Sequence, residues 1–117
     1  MTTDPITRED LEMAARAAGL PVLPRRAGSR YMVALLVEES SDEGLWYEWH
    51  PGEDDGDCAR MEDAVVIDLF RISSGIYAER RDLHIAIFAK FADHANDRSR
   101  ARRYASVKLA AAVGRAM

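Results

Sequence analysis

Only one cysteine, Cys58, occurs in the 117 residues, so no internal disulfide can form. That usage suits a reduced, cytoplasmic protein. No apolar run approaches the ~18 residues that a membrane span needs, so no membrane partner is expected. Residues 1–5, Met-Thr-Thr-Asp-Pro, lack a basic segment followed by an apolar one, and no secretion signal is expected there. The sequence also lacks a glycine-rich phosphate loop, a Gly-x-Ser-x-Gly and a His-Glu-x-x-His. No cofactor and no enzymatic activity are expected.

What is present suffices for a folded domain. Apolar residues make up 48% of the chain, enough for one core, and the length fits a single domain over 1–117. The net charge of −4 conceals a strong polarity along the chain. Residues 38–68 hold twelve acids and one base, Arg60, a balance of −11. From Arg98 onward there are six bases (Arg98, Arg100, Arg102, Arg103, Lys108 and Arg115) and no acid.

Read in order, Thr7 can cap a helix, with Asp10 three residues on as its partner. Leu11, Ala14, Ala15 and Ala18 recur at helical spacing, and Gly19 stops the helix. Pro21 and Pro24 forbid continuation, and a loop with little regular structure follows. Residues 30–37 form a strand that is apolar on both faces, which calls for cover on both sides. After a polar turn at 40–44, residues 45–49 return as a second strand, making 30–49 a β-hairpin. Pro51-Gly52 breaks that strand.

Asp54 or Asp55 then caps a helix running to about Leu69, with Cys58, Met61, Val65 and Leu69 on its inner stripe and Glu62, Asp63 and Asp68 facing out or at its edge. Alternation resumes near Phe70 and continues to Phe91, with a turn at 79–82, so a second hairpin is expected. Asp97 caps a last helix whose buried side carries Val107, Ala110, Val113 and Met117. The order is α-ββ-α-ββ-α. The class is α/β (α+β), as a three-layer α/β/α sandwich around a mainly antiparallel four-stranded sheet. A two-layer α+β fold is the alternative.

Three stretches carry a resemblance. They are Leu11-Glu-Met-Ala-Ala-Arg-Ala-Ala-Gly-Leu, Trp49-His-Pro-Gly-Glu-Asp-Asp-Gly-Asp-Cys-Ala-Arg-Met and Ala105-Ser-Val-Lys-Leu-Ala-Ala-Ala-Val-Gly-Arg-Ala-Met. In order and spacing they resemble the small tailed-phage and prophage proteins of the phage ABA sandwich domain family. The middle stretch is the most specific of the three. The resemblance implies a three-layer sandwich, a phage or prophage origin and no chemistry.

Several side-chain groups invite functional readings. The cluster Glu53-Asp54-Asp55-Gly56-Asp57 suggests a metal, but its spacing is wrong for a calcium loop and the acids run straight into a helix, where capping explains them. Cys58 with His50, His84 and His94 suggests a nucleophile or a zinc site, yet no motif surrounds Cys58 and its place on the helix stripe is that of a small buried hydrophobe. The 93–97 loop, Asp93-His94-Ala95-Asn96-Asp97, suggests an acid–base pair or a cation site; capping of the last helix explains it as well. Trp46, Tyr47 and Trp49 either stack bases or belong to the core.

The expectation is therefore a non-enzymatic phage or prophage accessory protein in the bacterial host cytoplasm. It binds a host protein or a protein–nucleic acid complex, as an anti-CRISPR-like inhibitor of host defence does. Its contact surface comprises Asp42, Glu43, Glu53, Asp54, Asp55, Asp57, Glu62, Asp63 and Asp68, imitating the charge of nucleic acid. One alternative is a nucleic-acid-binding module that uses the C-terminal bases. Another is a small enzyme that uses Cys58 or the 93–97 loop. The imitation reading requires that the C-terminal arginines leave these acids free.

Overall fold

The computed structural model describes residues 4–20, 22–24, 33–36 and 46–117. Mixed helix and antiparallel sheet is observed, in the order α1 (Arg8–Ala17), β1 (Val22–Pro24), β2 (Val33–Leu36), β3 (Trp46–Glu48), α2 (Asp55–Val65), β4 (Asp68–Ile72), β5 (Gly75–Arg80), β6 (Ile85–Lys90) and α3 (Arg98–Ala116). Single 3-10 turns, Arg81–Leu83 and Phe91–His94, flank β6. Instead of one four-stranded sheet, the described residues form two three-stranded antiparallel sheets, β1-β2-β3 and β4-β5-β6. No described helix is long and apolar enough to cross a membrane.

The first hairpin is present as the pairing of β2 with β3, Leu35 opposite Tyr47. Its expected turn at 40–44, and the loop around Gly28 and Ser29, lie outside the described residues. An additional strand, β1, pairs with β2 in the segment expected to be a loop.

Helix starts follow local chemistry. The Thr7 side chain accepts from the Asp10 N–H at 3.1 Å and the Asp10 carboxylate accepts from the Thr7 N–H at 2.9 Å, a complete capping box. Asp54 is the cap of α2, accepting from the Asp57 N–H at 2.7 Å. Asp97 caps α3.

The end of α2 departs from expectation. The helix stops at Val65, and Val66 takes the left-handed conformation with φ 63°. The β-branched run Val65-Val66-Ile67 weakens the helix. Arg80, far along the chain, donates to the Val65 carbonyl at 2.6 Å and satisfies the helix end. Leu69 and Asp68 therefore lie on β4 rather than on the helix, and Leu69 is exposed. The expected single strand around 72–78 is also broken. Ser73-Ser74 turns the chain, Ile72 pairs with Gly75, and the second hairpin becomes a three-stranded meander.

Among the described residues the element covered on both sides is α3. Ala101, Ala105 and Leu109 pack on Ile76, Ala78 and Ala89 of the second sheet. Val107, Ala110 and Val113 pack with Ala14 and Ala15 of α1 and with Trp49, Cys58, Met61 and Val65. A helix buried on two sides needs small residues, and the four buried alanines Ala101, Ala105, Ala110 and Ala111 answer that need within α3. At Gly114 an added Cβ would lie 1.9 Å from the Met13 carbonyl oxygen, so the approach of α1 requires glycine. Met117, expected to be inside, is exposed at the helix end.

Candidate functional site

Both ends of the charge polarity meet on α3. Arg102 donates to both carboxylate oxygens of Glu62, at 3.1 Å from Nε and 2.5 Å from Nη2, and the Ser106 hydroxyl donates to Glu62 Oε2 at 2.5 Å. Glu62, expected to face out or sit at the edge of the helix, is buried. Arg103 donates to Asp55 at 2.7 Å and to the Gly52 carbonyl at 3.2 Å. Lys108 and Arg115 converge on Asp10 at 2.8 and 2.7 Å. Burial alone would raise Asp10, but the hydrogen bonds from Lys108, Thr7 and Arg115 outweigh it and hold the carboxyl well below the usual carboxylate range. Asp57, also buried, accepts from the His50 N–H and pairs with Arg60 at 2.6 Å.

Four of the six C-terminal bases are thus engaged by acids of the same chain. Arg98 lies over the Phe91 ring, 5.5 Å from its centroid, and Arg100 stays exposed. Little free positive charge is left on α3 for phosphates. The candidate acids divide in the same way. Asp57 and Glu62 are inside, Asp55 is held by Arg103, and Glu53, Asp54, Asp63 and Asp68 are exposed. Asp42 and Glu43 lie outside the described residues.

Cys58 is fully buried on α2, as its stripe position predicts. Burial, reinforced by the neighbouring Glu62 charge, pushes its thiol up to about 12. A thiol so shielded is a poor nucleophile. Among the described residues no three His, Cys, Asp or Glu side chains come together as a metal would require. Trp49 is in the core rather than at a stacking surface.

The sequence reading passed over the outer face of the second sheet. The pairing registers set Phe70 opposite Tyr77 and Tyr77 opposite Phe88. The rings follow one another at 6.5 and 4.5 Å between centroids. Strand alternation places this row on the side away from α3, because the neighbouring Ile76, Ala78 and Ala89 are the ones packed on the helix. Phe70 is 57% exposed. Asp68 and Glu79 stand opposite each other in the adjoining row, with Gly75 and Lys90 paired on the far side. The signal in the sequence was one aromatic residue per strand. It became legible only once the Ser73-Ser74 turn fixed the register.

His94, in the 3-10 turn before α3, is 6% exposed, and its ring lies 4.7 Å from that of Tyr104. Its Nε2 has no hydrogen-bond partner among the described residues. Burial, and then the charge of Arg100, lower its pKa below the ordinary histidine value. With Arg100, Arg103 and Tyr104 it lines a cleft of about 620 Å³. Of the 93–97 loop residues, Asp93 reaches the same cleft and Asp97 is taken by the helix cap.

No family model, curated protein or solved structure matches the chain.

Proposed function

We propose that the protein acts as a non-enzymatic binding protein that docks a partner protein through the outer face of β4–β6. The carrying observation is the Phe70–Tyr77–Phe88 row, which ends in a ring more than half exposed. Contiguous exposed aromatic surface costs solvation free energy, and interface cores are enriched in such residues. Asp68 and Glu79 border the row, with Arg81 paired to Glu79 at 2.9 Å, which suits a partner with an apolar centre and a polar rim.

The three sequence stretches support a phage or prophage origin. They support a target in the host cytoplasm, either a host protein or a protein–nucleic acid complex of a defence system. Imitation of nucleic acid rests on the acids still exposed, Glu53, Asp54, Asp63 and Asp68, and is secondary to the aromatic row. The test is capture from bacterial lysate with wild type, Phe70→Ser and Asp63→Lys. The expected result is a partner that is lost with Phe70→Ser and kept with Asp63→Lys, in variants of unchanged circular dichroism. Capture indifferent to Phe70→Ser would refute the docking face. Salt-sensitive binding to bare DNA would instead support the arginine-helix alternative.

A further inference from the structure

β4 is an open edge of the second sheet. Among the described residues nothing pairs with it on the side away from β5. α3 packs on β5 and β6, through Ile76, Ala78 and Ala89, and leaves β4 largely uncovered. From Asp68 to Arg71 every residue is exposed, and apolar side chains lie on both faces. Phe70 is on the outer face and Leu69 on the face turned toward α3. Such a strand is a template for a further strand, and monomeric proteins blunt it with lysine, proline or a bulge. β6, at the other edge, carries Lys90, whereas β4 has no lysine or proline and its pairing with β5 runs without a bulge.

The Ser73-Ser74 turn fixes which backbone groups are free. Ile72 and Gly75 close that turn by bonding to each other, so Ile72, Phe70 and Asp68 direct their N–H and C=O groups to β5. Leu69 and Arg71, between them, direct theirs outward. We infer that β4 pairs with β4 of a second copy of this chain, antiparallel about a two-fold axis at Phe70, and joins two three-stranded sheets into one. In this register Leu69 of each copy stands opposite Arg71 of the other. The two exchange both N–H···O=C bonds, and symmetry repeats the exchange. Phe70 meets Phe70 as the pair without backbone bonds, the kind whose side chains come closest. The Phe88–Tyr77–Phe70 row then continues into its own copy across the axis.

Charge selects this arrangement. Antiparallel pairing gives each end of the contact one Asp68 and one Arg71, whereas parallel pairing sets like charge beside like charge at both ends. Sliding one copy toward the turn sets Arg71 against Arg71. Sliding it the other way sets Arg71 against Ile67, beyond the strand. The strand is thus its own complement, as an isologous contact requires. A contact between two short strands falls below the ~1,200 Å² of a standard interface, so association is weak and depends on concentration. The two-fold pairing consumes the β4 edge and ends growth at the dimer. It goes beyond docking on the sheet face, because it uses the backbone edge and leaves the outer side of the rings open.

Sedimentation of the full chain from micromolar to millimolar concentration, with amide hydrogen exchange, tests this. A monomer–dimer equilibrium is expected. The Leu69 and Arg71 amides should gain protection as concentration rises, whereas β5 protects those of Phe70 and Ile72 throughout. Leu69→Pro removes only an outward donor and should weaken the dimer by about tenfold or more. Leu69→Ala, which keeps the N–H, should weaken it less. If Leu69→Pro fails to fold, the amide protection of the wild type decides. The inference is overturned by a monomer at every concentration, by assemblies that grow past the dimer, by Leu69 and Arg71 amides indifferent to concentration, or by a folded Leu69→Pro that dimerises like wild type. A monomer whose capture of a lysate partner is lost with Leu69→Pro would assign the edge to a strand of another protein instead. Self-association is measured with no other protein present, so it fails or stands separately from the Phe70→Ser docking test.

Discussion

Arg102 grips Glu62 across forty positions of sequence, with Glu62 buried between α2 and α3, Arg102 partly buried and Ser106 on the second oxygen. The strongest acid run and the strongest basic run are therefore parts of one internal contact. The charge polarity of the chain serves assembly of the fold before it serves any partner.

Removing one side of this contact strands a buried charge. Arg102→Ala should cost about 3–5 kcal/mol in denaturant unfolding, because Glu62 then has only Ser106. The double variant Arg102→Met with Glu62→Leu should recover most of the loss. A single substitution costing under about 1 kcal/mol would show that the pair is open to solvent, as surface pairs are.

Asp10 predicts a dependence on pH. Its folded pKa lies below the ordinary value of 3.8, so the stability it contributes is complete above that value. It is lost progressively as pH falls through the depressed folded value. Urea unfolding of wild type and Asp10→Asn should differ most at neutral pH and converge in strong acid. A difference that grows on acidification would contradict the sign.

Asp54 and Asp55 are neighbours with different roles. Asp54→Ala removes the α2 cap and should cost about 0.5–2 kcal/mol. Asp55→Ala removes a pair with Arg103 whose carboxylate lies at the surface, and should cost less than about 1 kcal/mol. Melting temperatures of the two variants decide it. Equal losses would place the helix start elsewhere.

Much of the local structure was legible in the chain. The Thr7–Asp10 capping box, the Asp97 cap, Cys58 inside α2 and the pairing of β2 with β3 all follow from residue type and spacing. These features depend on contacts within a few residues, where side-chain chemistry and backbone geometry suffice. Apolar spacing carries the middle helix four residues past its end, because what ends it, the Arg80 hydrogen bond to Val65, comes from a distant strand. The meander looks like a hairpin in sequence because Ile72, Ser74, Ile76 and Ala78 keep their alternation straight through the Ser73-Ser74 turn.

The sequence by itself determined the caps of the first and last helices, that acids and bases occupy opposite stretches, and that the cysteine is a core residue. Tertiary structure decided that α3 is covered on both sides, that four of its six bases are consumed by Glu62, Asp55 and Asp10, and that three aromatic residues form one row ending in the exposed Phe70. It also decided that His94 is buried beside a cleft. The physical reason is range. Capping and periodicity act over one helical turn, whereas ion pairing, strand register and burial are set by which distant segments the fold brings within a few ångströms.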